Sequence, residues 1–142
     1  MATLLIVDDD NNIRETLHDL LKDSHECHTA DRAEQALSYL EFETYDVVLT
    51  DIAMPGLTGR EILKRIQEAH PTTPVIVISG NSEAEAAKEL LDMGAFAFIA
   101  KPFKLEDVES TVVRAIARNQ ELTKAAKHSS NSVVEPTNSA SR

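Results

Sequence analysis

The chain has 142 residues, 42% of them apolar, a formal net charge of −10 and a single cysteine. That length supports one domain with its own core, and the acidic balance argues against direct nucleic-acid binding through a broad basic surface. Cys27 has no partner for an internal disulfide, no apolar run reaches the length of a membrane span, and Leu4–Val7 is too short for a signal peptide, so a cytoplasmic chain with no membrane partner is expected.

Leu4-Leu5-Ile6-Val7 reads as a buried strand that stops at Asp8-Asp9-Asp10. Asn11 or Asn12 can cap a helix with Ile13, Leu17, Leu20 and Leu21 on one face. A short strand follows at about 26–29, then a helix carrying Ala33, Ala36, Leu37 and Leu40. Tyr45 to Thr50 forms a third strand that ends at Asp51, and Pro55-Gly56 turn the chain after it. Thr58-Gly59-Arg60-Glu61 has the spacing of a capping box and opens a helix with Ile62, Leu63, Ile66 and Ala69 inward. The fourth strand, Val75 to Ile78, ends at Ser79-Gly80. Ser82-Glu83-Ala84-Glu85 repeats the capping-box spacing before a helix with Ala86, Ala87, Leu90 and Leu91, and Gly94 suits its C-terminal turn. Phe96 to Ala100 is the fifth strand, ending at Lys101-Pro102, and a last helix from near Leu105 carries Val108, Val112, Ala115 and Ile116.

Strand and helix alternate five times. Crossovers of this length demand a parallel sheet with helices on both faces, and apolar runs without alternation fit strands covered on both sides. Beyond about Gln120 the apolar pattern fades. Residues 1–120 read as the folded domain and 121–142 as a helix extension followed by a disordered tail or linker, with 128–142 rich in Ser and Asn. In open α/β sheets ligands gather at the carboxyl ends of the strands, and Asp8, Asp9, Asp51, Ser79 and Lys101 all stand at such ends.

Val7-Asp8-Asp9, Asp51 with Met54-Pro55-Gly56 and Gly59, Ser79-Gly80, Gly94-Ala95 and Lys101-Pro102-Phe103, in this order, resemble the receiver domains of two-component response regulators over about residues 2–120. The resemblance implies an α/β, flavodoxin-like, doubly wound sheet of five parallel strands in the order 2-1-3-4-5. In that order the first and third strands are neighbours, about 4.8 Å apart, and Asp8, Asp9 and Asp51 converge. Three carboxylates in one pocket resist ionising together, and a hard divalent cation such as magnesium resolves the conflict.

The resemblance also implies a role for each residue. Asp51 is the phosphoryl acceptor. Asp9, Asp51 and the backbone carbonyl of Ala53 hold Mg2+ directly, and Asp8 acts through a metal-bound water. Lys101 and Ser79 meet the phosphoryl oxygens, with a cis Lys101-Pro102 bond aiming the lysine inward. Phe98 is an aromatic switch that turns inward when Ser79 moves toward the phosphoryl group. The phosphoryl donor is a histidine kinase or a phosphotransfer protein. The output domain or protein is not legible, and phosphorylation-dependent homodimerisation is a family habit.

Ala53 is small and apolar and cannot orient a hydrolytic water; it also stands where a phosphohydrolase of the haloacid dehalogenase type needs a second aspartate. A flavodoxin-type mononucleotide binder would be repelled by Asp8-Asp9-Asp10. The expected function is a signalling receiver that takes a phosphoryl group on Asp51 and switches a partner-binding face, without turnover in the ordinary enzymatic sense. The alternative is a receiver-like docking module that is never phosphorylated. His18, His25, His28, His70 and His128 form no metal motif, and Cys27 reads as a packing residue.

Overall fold

A computed structural model of the chain describes residues 1–53 and 57–134, with backbone alone described for Asn81 and for 126–134. The Met54-Pro55-Gly56 turn and residues 135–142 lie outside the described residues. The elements are β1 (Thr3–Val7), α1 (Asn11–Leu21), β2 (Glu26–Ala30), α2 (Ala33–Phe42), β3 (Val47–Asp51), α3 (Gly59–Ala69), β4 (Val75–Ser79), α4 (Ala84–Asp92), β5 (Ala97–Ala100) and α5 (Leu105–Val134). All strand pairs are parallel, in the order β2-β1-β3-β4-β5. The expected doubly wound sheet is the fold.

Because both faces of the sheet are covered, alternate residues of each strand feed two separate cores. Leu5, Val7, Val48, Val75 and Val77 meet α2, α3 and α4 through Ala36, Leu40, Ile62, Ile66 and Leu90. Leu4, Ile6, Val47, Leu49, Ile76 and Ile78 meet α1 and α5 through Leu17, Leu21, Val108, Val112 and Ala115. Leu49, Ile76 and Ile78 are essentially inaccessible, and each such side chain stabilises the fold by about 1.5–3 kcal/mol through its burial. Truncating Leu49 to alanine would cost about 2–5 kcal/mol, because the packed neighbours cannot close the gap.

The capping box at α3 is present: Glu61 N–H donates to Thr58 Oγ1 at 3.2 Å, and Thr58 N–H to Glu61 Oε1 at 3.0 Å. Gly94 follows α4 with φ +111, and a Cβ there would lie 2.5 Å from Gln67 Nε2, so glycine is required on both conformational and steric grounds.

Two local expectations are corrected. The cap of α1 is Asp10 rather than Asn11 or Asn12: its carboxylate accepts the amides of Asn12 at 2.9 Å and Ile13 at 3.4 Å, and a negative charge suits the positive end of the helix. The Ser82–Glu85 capping box does not form. The Glu83 carboxylate instead accepts Gly80 N–H at 2.8 Å, residues 81–83 wind into a 3-10 turn, and α4 starts at Ala84. The last helix, α5, runs on to Val134.

Candidate functional site

The register sets the site. Val7 pairs with Thr50, so Asp8 and Asp51 leave neighbouring strands side by side. Asp51 pairs with Ile78, and Ser79 with Ala100, so Ser79 and Lys101 follow one step further along the same edge. The ladder continues past the strand ends through Asp8 N–H to Ala30 O at 3.1 Å and Lys101 N–H to Ser79 O at 2.7 Å. These bonds fix the backbones from which the polar side chains project.

Asp8, Asp9 and Asp51 each offer a carboxylate oxygen, and these oxygens lie within 4.8 Å of one another. Asp8 and Asp51 are buried, at 1% and 4% exposure, whereas Asp9 is exposed. The Lys101 ammonium stands 3.3 Å from Asp8 Oδ2 and 3.5 Å from Asp51 Oδ2, and the Lys101-Pro102 bond is cis. The far edge of the sheet therefore does send its lysine across β4 to the acidic pair. Ala53 N–H donates to Asp51 Oδ1 at 3.4 Å.

Burial pushes Asp51 up to about 6, with the Asp8 charge adding to the effect and Lys101 opposing it. Burial also raises Asp8, against the Asp10 amide and the Lys101 charge. The sequence reading assigned this conflict to mutual repulsion; loss of solvation is the larger cause. For Lys101, burial favours the neutral amine, but Asp8 and Asp51 together outweigh it and hold the ammonium above its ordinary range.

Two buried polar atoms at this edge have no hydrogen-bond partner among the described residues: Asp8 Oδ2 and Ser79 Oγ. The nearest cation to Asp8 Oδ2 is the Lys101 ammonium of the ion pair at 3.3 Å. Buried polar atoms without partners cost free energy and are retained where a ligand completes them. An all-oxygen donor set with open acceptor capacity fits a hard divalent cation. The adjacent hydroxyl and ammonium are donors suited to an anion.

Phe98 lies on β5 opposite Val77, with its side chain 37% exposed. Among the described residues no histidine belongs to a cluster with metal-ligand spacing. His28 bridges Tyr45 Oη at 2.7 Å and Glu26 Oε2 at 2.8 Å, and His70 Nε2 meets Leu40 O at 2.8 Å. Burial pushes the Cys27 thiol up to about 11, which keeps it unreactive. Sequence reasoning missed Arg14, whose guanidinium donates to the backbone carbonyl of Asp8 at 2.8 Å. Its partner is a backbone carbonyl, so no residue pattern signalled it. No helix among the described residues is long and apolar enough to cross a membrane.

The family model for the response regulator receiver domain matches residues 4–113. The DNA-binding transcriptional regulator NtrC of Salmonella typhimurium is 38% identical over 117 residues, covering 82% of this chain and 25% of that protein. The chain thus spans about a quarter of the length of this relative. Among solved structures, a response regulator receiver domain protein from Clostridium thermocellum superposes with a TM-score of 0.81 at 32% identity, covering 86% of this chain and 99% of that one. NtrX from Brucella abortus, solved in complex with ADP, gives 0.83 at 34% identity over 88% of this chain and 29% of that one. With the parallel sheet, the acidic cluster and the reaching lysine in place, the match settles the assignment: the chain belongs to the response regulator receiver domain family of two-component signalling.

Proposed function

We propose that this receiver accepts a phosphoryl group on Asp51 from a phosphohistidine of a sensor kinase or phosphotransfer protein. The observation that carries the reading is the convergence on Asp51 of two carboxylates and one ammonium 3.5 Å away, with the buried Ser79 hydroxyl, unpartnered among the described residues, at the same sheet edge. Phosphoryl transfer asks a protein mainly for positioning and charge neutralisation, and this constellation supplies both.

In the transfer, an Asp51 carboxylate oxygen attacks phosphorus and the P–N bond to the donor imidazole breaks. The donor ring, protonated on its other nitrogen, takes the electron pair and leaves as neutral imidazole, and the product is a mixed anhydride. Asp9, Asp51 and the Ala53 carbonyl would hold magnesium, with Asp8 acting through a bound water; when present the ion supplies positive charge against the phosphoryl oxygens. Lys101 provides a second positive charge. Ser79 donates its free hydroxyl to a phosphoryl oxygen. Lys101 and Ser79 also serve the later hydrolysis, in which water attacks phosphorus and the Asp51 carboxylate leaves, so the chain assists its own phosphorylation and dephosphorylation without turning over a substrate.

The phosphorylated site gains about two negative charges and three acceptors. Ser79 moves toward them and vacates space, and Phe98 turns in to fill it. This remodels the face formed by α4, β5 and α5, which binds the output domain or protein and pairs two phosphorylated chains. Residues 1–120 act as the receiver and 121–142 as its extension. Borohydride reduction of the phosphorylated protein, followed by peptide mapping, tests the acceptor: the reduced residue is expected at position 51, and reduction at Asp8 or Asp9 would overturn the assignment. Sedimentation with and without a phosphoryl mimic tests the pairing; an unchanged mass would remove it.

A further inference from the structure

Of the three carboxylates, Asp9 is the one whose side chain no described residue holds. Asp8 Oδ1 accepts the amide of Asp10 at 2.9 Å, and Asp51 Oδ1 accepts that of Ala53. Among the described residues the Asp9 side chain makes no hydrogen bond or ion pair, and it is exposed. Its direction is therefore inherited from its own backbone, above all from the peptide plane that joins Asp8 to Asp9. The carbonyl of that plane is the group Arg14 grips. Arg14 Nη1 donates to Asp8 O at 2.8 Å, and Nη2 donates to Asn11 Oδ1 at 2.7 Å. Asn11 is in turn tied to Glu15 at 3.3 Å. One planar guanidinium thus clamps the Asp8–Asp9 peptide to the first turn of α1, a task for which its rigid fork is suited and a lysine is not. Although three aspartates precede it, Arg14 forms no ion pair among the described residues, so its charge is not the reason for its place.

We infer that Arg14 is a positioning residue for the divalent-cation site, acting through the Asp8–Asp9 peptide to aim Asp9. This rests on the proposed reading that Asp9 is a metal ligand. Partners behind a ligand commonly change metal affinity by about 10–100-fold when removed. Magnesium, which demands near-ideal octahedral geometry, should suffer more than calcium, which tolerates irregular sites.

The sign of the effect separates this role from simple electrostatics. Deleting a cation near an acidic cluster should tighten cation binding through space; loosening Asp9 should weaken it. The test is calorimetric titration of Mg2+ and Ca2+ into the wild-type chain, Asp9→Asn, Arg14→Met and Arg14→Lys, each checked for folding by urea denaturation. Wild type binding Mg2+ and Asp9→Asn losing it supports the underlying reading; equal binding by both would remove that reading and this inference with it. Given that reading, Arg14→Met is expected to bind Mg2+ about tenfold more weakly, with a smaller loss for Ca2+. Unchanged or tighter Mg2+ binding would overturn the inference. Should Arg14→Met fail to fold, Arg14→Lys decides: it keeps the charge and loses the fork, so weaker Mg2+ binding supports positioning and wild-type affinity refutes it.

Discussion

The centre of the sheet and its β5 edge are built differently. Every residue of β3 and of β4 is buried, whereas β5 buries only Ile99 and leaves Phe98 37% exposed. The proposed acceptor and its hydroxyl neighbour sit on the packed centre, where close-packed walls hold donors and charges in fixed geometry. The proposed reporter sits on the edge, where an aromatic side chain has room to change rotamer. Lys101 joins the two: its backbone leaves the β5 edge and its ammonium reaches the central carboxylates. On the proposed reading, chemistry falls to the packed centre and signalling to the more exposed edge.

The strongest way to break that comparison is to ask whether the centre really holds a charge against its solvation. With Asp51 pushed up to about 6, the folded chain binds more protons than the unfolded chain between about pH 4 and pH 6, so stability falls as pH rises through that window. A two-unit shift corresponds to about 3 kcal/mol. Asp51→Asn should therefore stabilise the metal-free protein by up to about 3 kcal/mol at pH 7.5, and not at pH 3. Urea denaturation at the two pH values checks this, and equal stability at pH 7.5 would show that the centre imposes no such strain.

Next in size is Lys101→Met, which removes the link between the regions. Loss of a preorganised charge at a reacting centre costs about 100-fold in rate, read as the initial rate of phosphorylation by a small acyl phosphate. A wild-type rate would take Lys101 out of the chemistry. Ser79→Ala is a smaller perturbation with two signs. Deleting a fully buried hydroxyl that has no partner among the described residues should stabilise the unphosphorylated protein by about 1 kcal/mol, while phosphorylation slows. A loss of stability would mean that the hydroxyl is satisfied before phosphorylation. The smallest effect is expected at the edge. Phe98→Ala should change stability by less than about 1 kcal/mol and leave phosphorylation intact while weakening output. Equal partner binding by the phosphorylated and unphosphorylated forms, in both wild type and mutant, would remove Phe98 as the reporter.

What the sequence made legible divides along similar lines. Uninterrupted apolar runs ending at Asp8, Asp51, Ser79 and Lys101 marked the strand ends, and βα alternation dictated a parallel sheet, so the constellation followed once the strand order was set by resemblance. Local competition between side chains was not legible. Asp10 outcompetes two asparagines for the cap of α1 because a carboxylate is the better acceptor there, and Glu83 turns back to Gly80, so that α4 opens at Ala84 without a Ser82–Glu85 box. Nor did spacing rank burial above repulsion at Asp51, since that depends on how the whole edge is covered. Arg14 was missed because its partner is a backbone carbonyl, which no residue pattern announces.

The most direct test of the account is the intact mass of the protein after incubation with magnesium and a small acyl phosphate, with Asp51→Asn treated in parallel. The account predicts the gain of one phosphoryl group in the wild type, dependent on magnesium and absent in the mutant. No gain in a folded wild-type protein, or an equal gain in Asp51→Asn, would contradict it.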